Sequence, residues 1–184
     1  GAMLISPLMS PILGVGLAVG INDKEMLATA LRHFALAMAI AIITSYLYFF
    51  FSPFGNITEE IRSRTAPTLL DVLVAFFGGL AGIISTTRKD QSNAIPGVAI
   101  ATALMPPLCV TGFGLATQNW NYALYSFYLF FINATFVSIA TYIIVRYLRF
   151  PLKEYASRRE QIFTRWMLIL FSAVLVLPSA FLLR

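Results

Sequence analysis

Long apolar runs alternate along this chain with short polar breaks. Six apolar stretches cover residues 2–21, 34–54, 68–86, 95–117, 121–145 and 166–183. Each is close to the ~20 residues an α-helix needs to cross a hydrocarbon core of ~30 Å. Together they predict an all-α fold, a polytopic transmembrane helical bundle of about six spans. Those spans use most of the 184 residues and leave no room for a soluble catalytic domain. Composition agrees: 59% of the residues are hydrophobic and 11% charged, against about 25% charged in a soluble domain. No basic segment precedes the first run, so it does not read as a cleaved signal peptide. The single Cys109 excludes an intrachain disulfide.

The placement of charge orients the spans. The breaks at 22–33, 87–94 and 146–165 hold Lys24, Arg32, Arg88, Lys89, Arg146, Arg149, Lys153, Arg158, Arg159 and Arg165. The opposite side receives only Arg62, Arg64 and Arg184. The positive-inside rule puts the basic breaks in the cytoplasm, at a prokaryotic plasma membrane. Both ends of the sequence then face outward, which calls for a further span ahead of residue 1. The +5 net charge is therefore read as orienting charge that meets lipid headgroups, not as a nucleic-acid surface.

One motif occurs twice, 96 residues apart. Gly1, Leu8, Met9, Pro11 and Gly16 recur as Gly97, Leu104, Met105, Pro107 and Gly112. Beyond it, Asp23 matches Asn119 in position, and Ser45-Tyr46 matches Thr141-Tyr142. An odd number of spans separates the copies, so they would cross the bilayer in opposite senses. That is an inverted repeat of the kind found in secondary transporters. Common packing needs of Gly/Pro-rich segments are the alternative source of the likeness. The halves would be about 1–86, lacking a leading helix, and about 68–146, with an extra helix at 166–183. Each copy carries two prolines, Pro7 and Pro11 or Pro106 and Pro107. A proline removes a backbone donor and clashes with the carbonyl four residues back. In lipid the freed groups must be paired or line a wet cavity. The expectation is two proline-broken helices with a site between them, Ser6, Pro7, Ser10 and Pro11 facing Thr102, Pro106 and Pro107.

Asp71, Ala75, Gly78 and Gly82 fall on one helix face, and Gly78-x-x-x-Gly82 is a close-packing pattern. Asp71 has two readings. It lines a path at the outer mouth with Arg64, as intramembrane acids often do. Or, three residues after Thr68, it closes a capping box at a helix start. Asn133, Ser138 and Thr141 read first as interhelical hydrogen bonders. Trp120, Tyr122, Tyr125 and Tyr128 form an interfacial belt. No catalytic set, metal constellation or cofactor motif is present, so no enzyme is expected and no cofactor.

The first motif, Arg64-x-x-Pro67-x-x-x-Asp71 and Pro96-Gly-Val-Ala-Ile-Ala-Thr-Ala-Leu-Met-Pro-Pro-Leu together resemble the prokaryotic membrane family called domain of unknown function 389. The resemblance implies a soluble N-terminal domain and an earlier hydrophobic helix outside this sequence. It assigns no activity. The functional expectation is a transporter or channel-like protein for a small solute or ion, in contact with membrane lipids and forming a homo-oligomer. The alternative is a non-transporting lipid-binding or scaffold module.

Overall fold

The structure, a computed structural model, describes residues 8–52, 57–65, 68–87 and 94–150. The stretch 166–183, Ser6 and Pro7 lie outside the described residues. The order of elements is α1 (Met9–Ile21), α2 (Lys24–Phe51), α3 (Glu59–Ser63), α4 (Leu69–Thr87), α5 (Ala94–Ala116) and α6 (Trp120–Tyr147). Among the described residues all regular structure is helical. α2, α4, α5 and α6 are each long and apolar enough to cross a membrane, and α1 is a shorter apolar helix. At 1.5 Å per residue the 28-residue α2 and α6 run about 42 Å. The stretch 22–33, expected as a loop, is instead a turn at Asn22-Asp23 followed at once by helix. Asp23 starts α2 by accepting a bond from the Met26 amide at 3.1 Å, an N-cap that satisfies a first-turn donor.

Two helical hairpins, α1–α2 and α5–α6, are built in the same register 96 residues apart. α2 and α6 begin and end at corresponding positions. The backbones of their turns correspond, although Asp23 caps its helix with its side chain and Asn119 does not. Asn22 (φ 62°) and Gln118 (φ 54°) both take the left-handed conformation. The Asp23 amide donates to the Ala18 carbonyl at 2.9 Å, and the Asn119 amide to the Gly114 carbonyl at 2.8 Å. Such a left-handed residue just past a helix satisfies its last carbonyls.

The hairpins cross, so that each motif helix packs on the second helix of the other hairpin. A Cβ on Gly16 would stand 2.5 Å from the Ser138 carbonyl oxygen and 2.6 Å from the Thr141 Cβ. A Cβ on Gly112 would stand 2.5 Å from the Ser45 Cβ and 2.8 Å from the Tyr46 amide. These are the same contact made twice, since Gly16 corresponds to Gly112 and Thr141 to Ser45. Between the hairpins Phe34 stacks on its own counterpart Phe130, ring centroids 5.7 Å apart. Leu8 with Leu104, and Ile12 with Leu108, fill one buried core around that stack.

The expected break in α5 is absent. Its backbone stays helical through Pro106 and Pro107. Pro107 cannot donate to the Ala103 carbonyl, and the Asn133 Nδ2 of α6 donates to that oxygen at 2.9 Å instead. A neighbouring helix thus replaces the missing bond, which is how prolines are accommodated inside apolar helices. In α1, Pro11 falls in the first turn, where amides have no helical partner, so it needs no replacement.

The environments of the two hairpins differ. α4 covers α6, whose buried face includes Ser126, Leu129, Val137 and Ala140, whereas α2 buries only Leu27, Ala30 and Ser45. Gly79 makes that cover possible, since a Cβ there would stand 2.9 Å from the Val137 Cα and 3.0 Å from the Ala140 Cβ. Of the glycines expected for packing, Gly82 meets Ile100 at 3.0 Å, while Gly78 meets Ala99 only at ordinary contact, 3.5 Å. Overpacking costs typically about 1–3 kcal/mol. Gly16→Ala and Gly112→Ala should each lower thermal stability in detergent by that order, while Gly78→Ala leaves it unchanged or raises it. Equal melting temperatures for all three would refute this account of the crossing.

Candidate functional site

Two cavities lie end to end along α2 and share three residues, Ser10, Pro11 and His33. The first, about 770 Å³, is walled by α1, the start of α2 and the end of α4. Its polar wall includes Asp23, Glu25, Thr29 and Thr86. The second, about 890 Å³, lies between α2 and α5 and is lined by Ile40, Thr44, Tyr48, Met105 and Cys109, among others. The two form one trench that is polar at the N-terminal end of α2 and apolar beyond His33. The α5 wall is fixed by the Ser45 hydroxyl, which donates to the Cys109 carbonyl at 2.7 Å.

Of the residues expected at the site, Ser10 and Pro11 stand at the junction of both cavities. From the second motif, Met105 and Cys109 reach the trench. Thr102 precedes them on the same stripe of α5, exposed, its hydroxyl donating to the Ala99 carbonyl at 2.9 Å. Pro106 is half-buried and Pro107 buried, and neither lines these cavities. His33 was absent from the expected site because residues 22–33 read as a loop. The signal was available: Asp23 as an N-cap, then Met26, Ala30, His33 and Ala37 at helical spacing.

Arg64 and Asp71 lie apart from the trench. The Asp71 carboxylate accepts from the Thr68 amide at 3.1 Å and its hydroxyl at 2.6 Å, and the Asp71 amide returns a bond to Thr68 at 3.3 Å. That is a reciprocal capping box at the start of α4. The Arg64 guanidinium stands 3.8 Å from Asp71 and 2.9 Å from Glu60, so one acid serves both cap and ion pair. The Arg64 carbonyl also accepts from the Ser126 hydroxyl at 3.1 Å, tying this corner to α6.

Among the described residues no group of three or more His, Cys, Asp or Glu side chains comes together. Among the described residues the trench offers shape, apolar surface, hydroxyls, one imidazole and two carboxylates, of which that of Asp23 already accepts from the Met26 amide. Such groups can engage a molecule by contact and hydrogen bonding.

Fold and site thus define an all-α bundle of apolar, membrane-length helices that carries a trench along one of them. The chain belongs to the family described as Domain of unknown function (DUF389), whose model matches residues 3–141. It is also similar to an uncharacterized protein of Methanocaldococcus jannaschii, 27% identical over 143 residues, covering 78% of this chain and 44% of the relative. The chain thus spans less than half the length of that curated relative. No solved structure matches.

Loss of an N-terminal cap costs about 1 kcal/mol, and a partly exposed ion pair contributes about 0–1 kcal/mol. Asp71→Asn keeps an acceptor for Thr68 and should cost little. Asp71→Ala should cost about 1 kcal/mol more, read as a further drop in melting temperature. Equal losses in the two variants would show that the box contributes nothing.

Proposed function

We propose that this chain is a multi-pass protein of the prokaryotic plasma membrane that carries a small solute or ion along the α2 trench. It has about six spans arranged as an inverted repeat, with halves at about 1–86 and 68–146 and a further helix at 166–183. One observation carries the reading: the two hairpins share their register 96 residues apart and exchange the same glycine contact. With the apolar stretch 2–21 counted as a crossing beside α2 and α4, three crossings run from the start of the first motif to the start of the second, so the corresponding hairpins run in opposite senses. Inverted halves with a site near their interface are a transporter architecture, in which one half moves against the other. Ser10 and Pro11, where the trench changes from polar to apolar, are the residues we place at the solute. Residues 22–33, 87–94 and 146–165 face the cytoplasm in this reading, by the positive-inside rule. Membrane lipids are its surroundings, copies of the chain associate, and it performs no covalent chemistry. The apolar wall beyond His33 favours the second reading, a lipid-binding or scaffold module, because lipid would be at home there.

Glu25 and Asn121 are corresponding, exposed positions in the two hairpins. With Cys109 replaced by Ala, Asn121→Cys should react with an impermeant maleimide on intact spheroplasts. Glu25→Cys should react only after permeabilisation. Labelling of both from the same side would refute the inverted arrangement. Release of rubidium or methylamine from loaded proteoliposomes, blocked by Ser10→Trp, is the expected sign of transport. No release above protein-free liposomes favours the lipid-binding module.

A further inference from the structure

α4 covers one hairpin and leaves the matching face of the other open. Gly79 of α4 sits on Val137 and Ala140 of α6, and Gly82 on Leu13 of α1. The counterparts of those three seat residues, 96 residues away in each case, are Ala41, Thr44 and Cys109, and all three line the larger cavity. Exposure follows the same division. Leu36 of α2 is 52% exposed, whereas its counterpart Ile132 of α6 is 8% exposed. The cavity is therefore the second of two equivalent seats, and among the described residues no helix lies in it.

We propose that residues 166–183 are the counterpart of α4 and fill this seat as a helix. The proposal rests on the inverted reading and deepens it: α4 becomes the third span of the first half, and 166–183 the third span of the second. Residues 166–183 lie 96 residues beyond 70–87, the body of α4, and carry no charged side chain. The joining segments are of nearly equal length, 52–68 ahead of α4 and 148–165 ahead of this stretch. The end of α6 also stands in the right place. A Cβ on Gly20 would be 2.5 Å from the Val145 Cγ1, so α6 ends beside the Asn22-Asp23 turn from which α2 starts. A chain leaving that corner can run alongside α2. α4 runs alongside α6 in the same way, with Arg64 at Ser126 and Gly79 at Val137. Such a helix leaves the basic break 146–165 outward, parallel to α2 and opposite to α4, as an inverted counterpart must.

Side-chain sizes are exchanged across the two seats. Gly79 and Gly82, which meet Val137 and Leu13, correspond to Leu175 and Pro178. Val137 and Leu13 themselves correspond to the smaller Ala41 and Cys109. A small helix residue on a large seat residue becomes a large one on a small one. Close packing conserves the summed volume at a contact, so the exchange is what a second seated helix requires. With the seat filled, the solute of the proposed function meets Ser10 and Pro11 from the smaller cavity.

The test uses the whole chain in phosphatidylcholine nanodiscs, with Cys109 replaced by Ala, a protease site inserted after Glu154 and a C-terminal tag. Thr44→Cys with Leu175→Cys should form a disulfide on mild oxidation, so that the tag stays with the larger fragment after cleavage. The corresponding Cβ positions in the α4 seat are 3.0 Å apart and need open only slightly to the ~3.5–4.5 Å of a disulfide. Ala41→Cys with Leu175→Cys should bridge as well, and serves where the first pair does not fold. Thr44→Cys with Ala173→Cys should fail to bridge, because Ala173 corresponds to Phe77, which is exposed on α4. The size exchange gives an independent readout. Ala41→Leu should lower the melting temperature by at least about 2 °C, and adding Leu175→Ala should recover most of that loss. Additive losses overturn the proposal. Bridging between two chains overturns it, because a second copy then fills the seat. Equal bridging from Leu175→Cys and Ala173→Cys overturns it, since no face of the helix is then defined. Absent bridging in both folded pairs overturns it too, and leaves the seat to lipid or to a helix ahead of residue 1. Bridging is read without flux. Bridging with no solute release therefore sinks the transporter reading alone, and release without bridging sinks this assignment alone.

Discussion

Everything else in this bundle hangs on two close helix crossings in which a glycine meets a hydroxyl-bearing residue. Gly16 lies against Thr141 and the Ser138 backbone, and Gly112 against Ser45 and the Tyr46 backbone. Where both sides of an interface are apolar, the hydrophobic effect adds little in lipid, and close van der Waals packing takes over. A glycine gives the nearest approach, and the approach lets short side chains reach across. Ser45 then bonds the Cys109 carbonyl, and Ser138 approaches the Ile12 carbonyl at 3.4 Å. Move the helices apart by a methyl group and those bonds, the Phe34–Phe130 stack and the core of paired leucines all loosen together.

The same closeness compensates one of the two prolines inside α5. Asn133 is near enough to give the Ala103 carbonyl the hydrogen bond that Pro107 withholds. Its counterpart in the other hairpin is Ala37, which can offer no such bond. There the corresponding proline, Pro11, sits in the first turn of α1 and requires none. Each hairpin has settled its proline differently, one by a side chain from a neighbour and one by position.

The departure from symmetry is what leaves the trench. α4 covers α6 through Gly79, and the matching face of α2 is open among the described residues. The resulting trench is bounded by residues that serve packing on the other side: Ala41 for Val137, Thr44 for Ala140, Cys109 for Leu13. Ala41 and Cys109 are smaller than Val137 and Leu13, and Thr44 places a hydroxyl where the covered side has Ala140.

The helical class, the membrane-length helices and the 96-residue correspondence were legible in the residues alone, because periodic apolar length and a repeated Gly/Pro motif are local properties. The Thr68–Asp71 box was legible too, since its partners are three residues apart. The start of α2 was misplaced by about ten residues, because Lys24, Glu25 and Arg32 look like a loop until Asp23 is seen to cap a helix. The continuity of α5 was illegible: whether a proline breaks a helix depends on a donor, here Asn133, 30 residues away in the sequence. The trench was illegible for the same reason. Ser10 and Pro11 could be named from the motif. That they meet His33, that Met105 and Cys109 reach the trench from α5, and that α4 chooses one hairpin over the other, follow from which backbones approach. Approach is a property of pairs of helices, so it is decided only when the chain is folded.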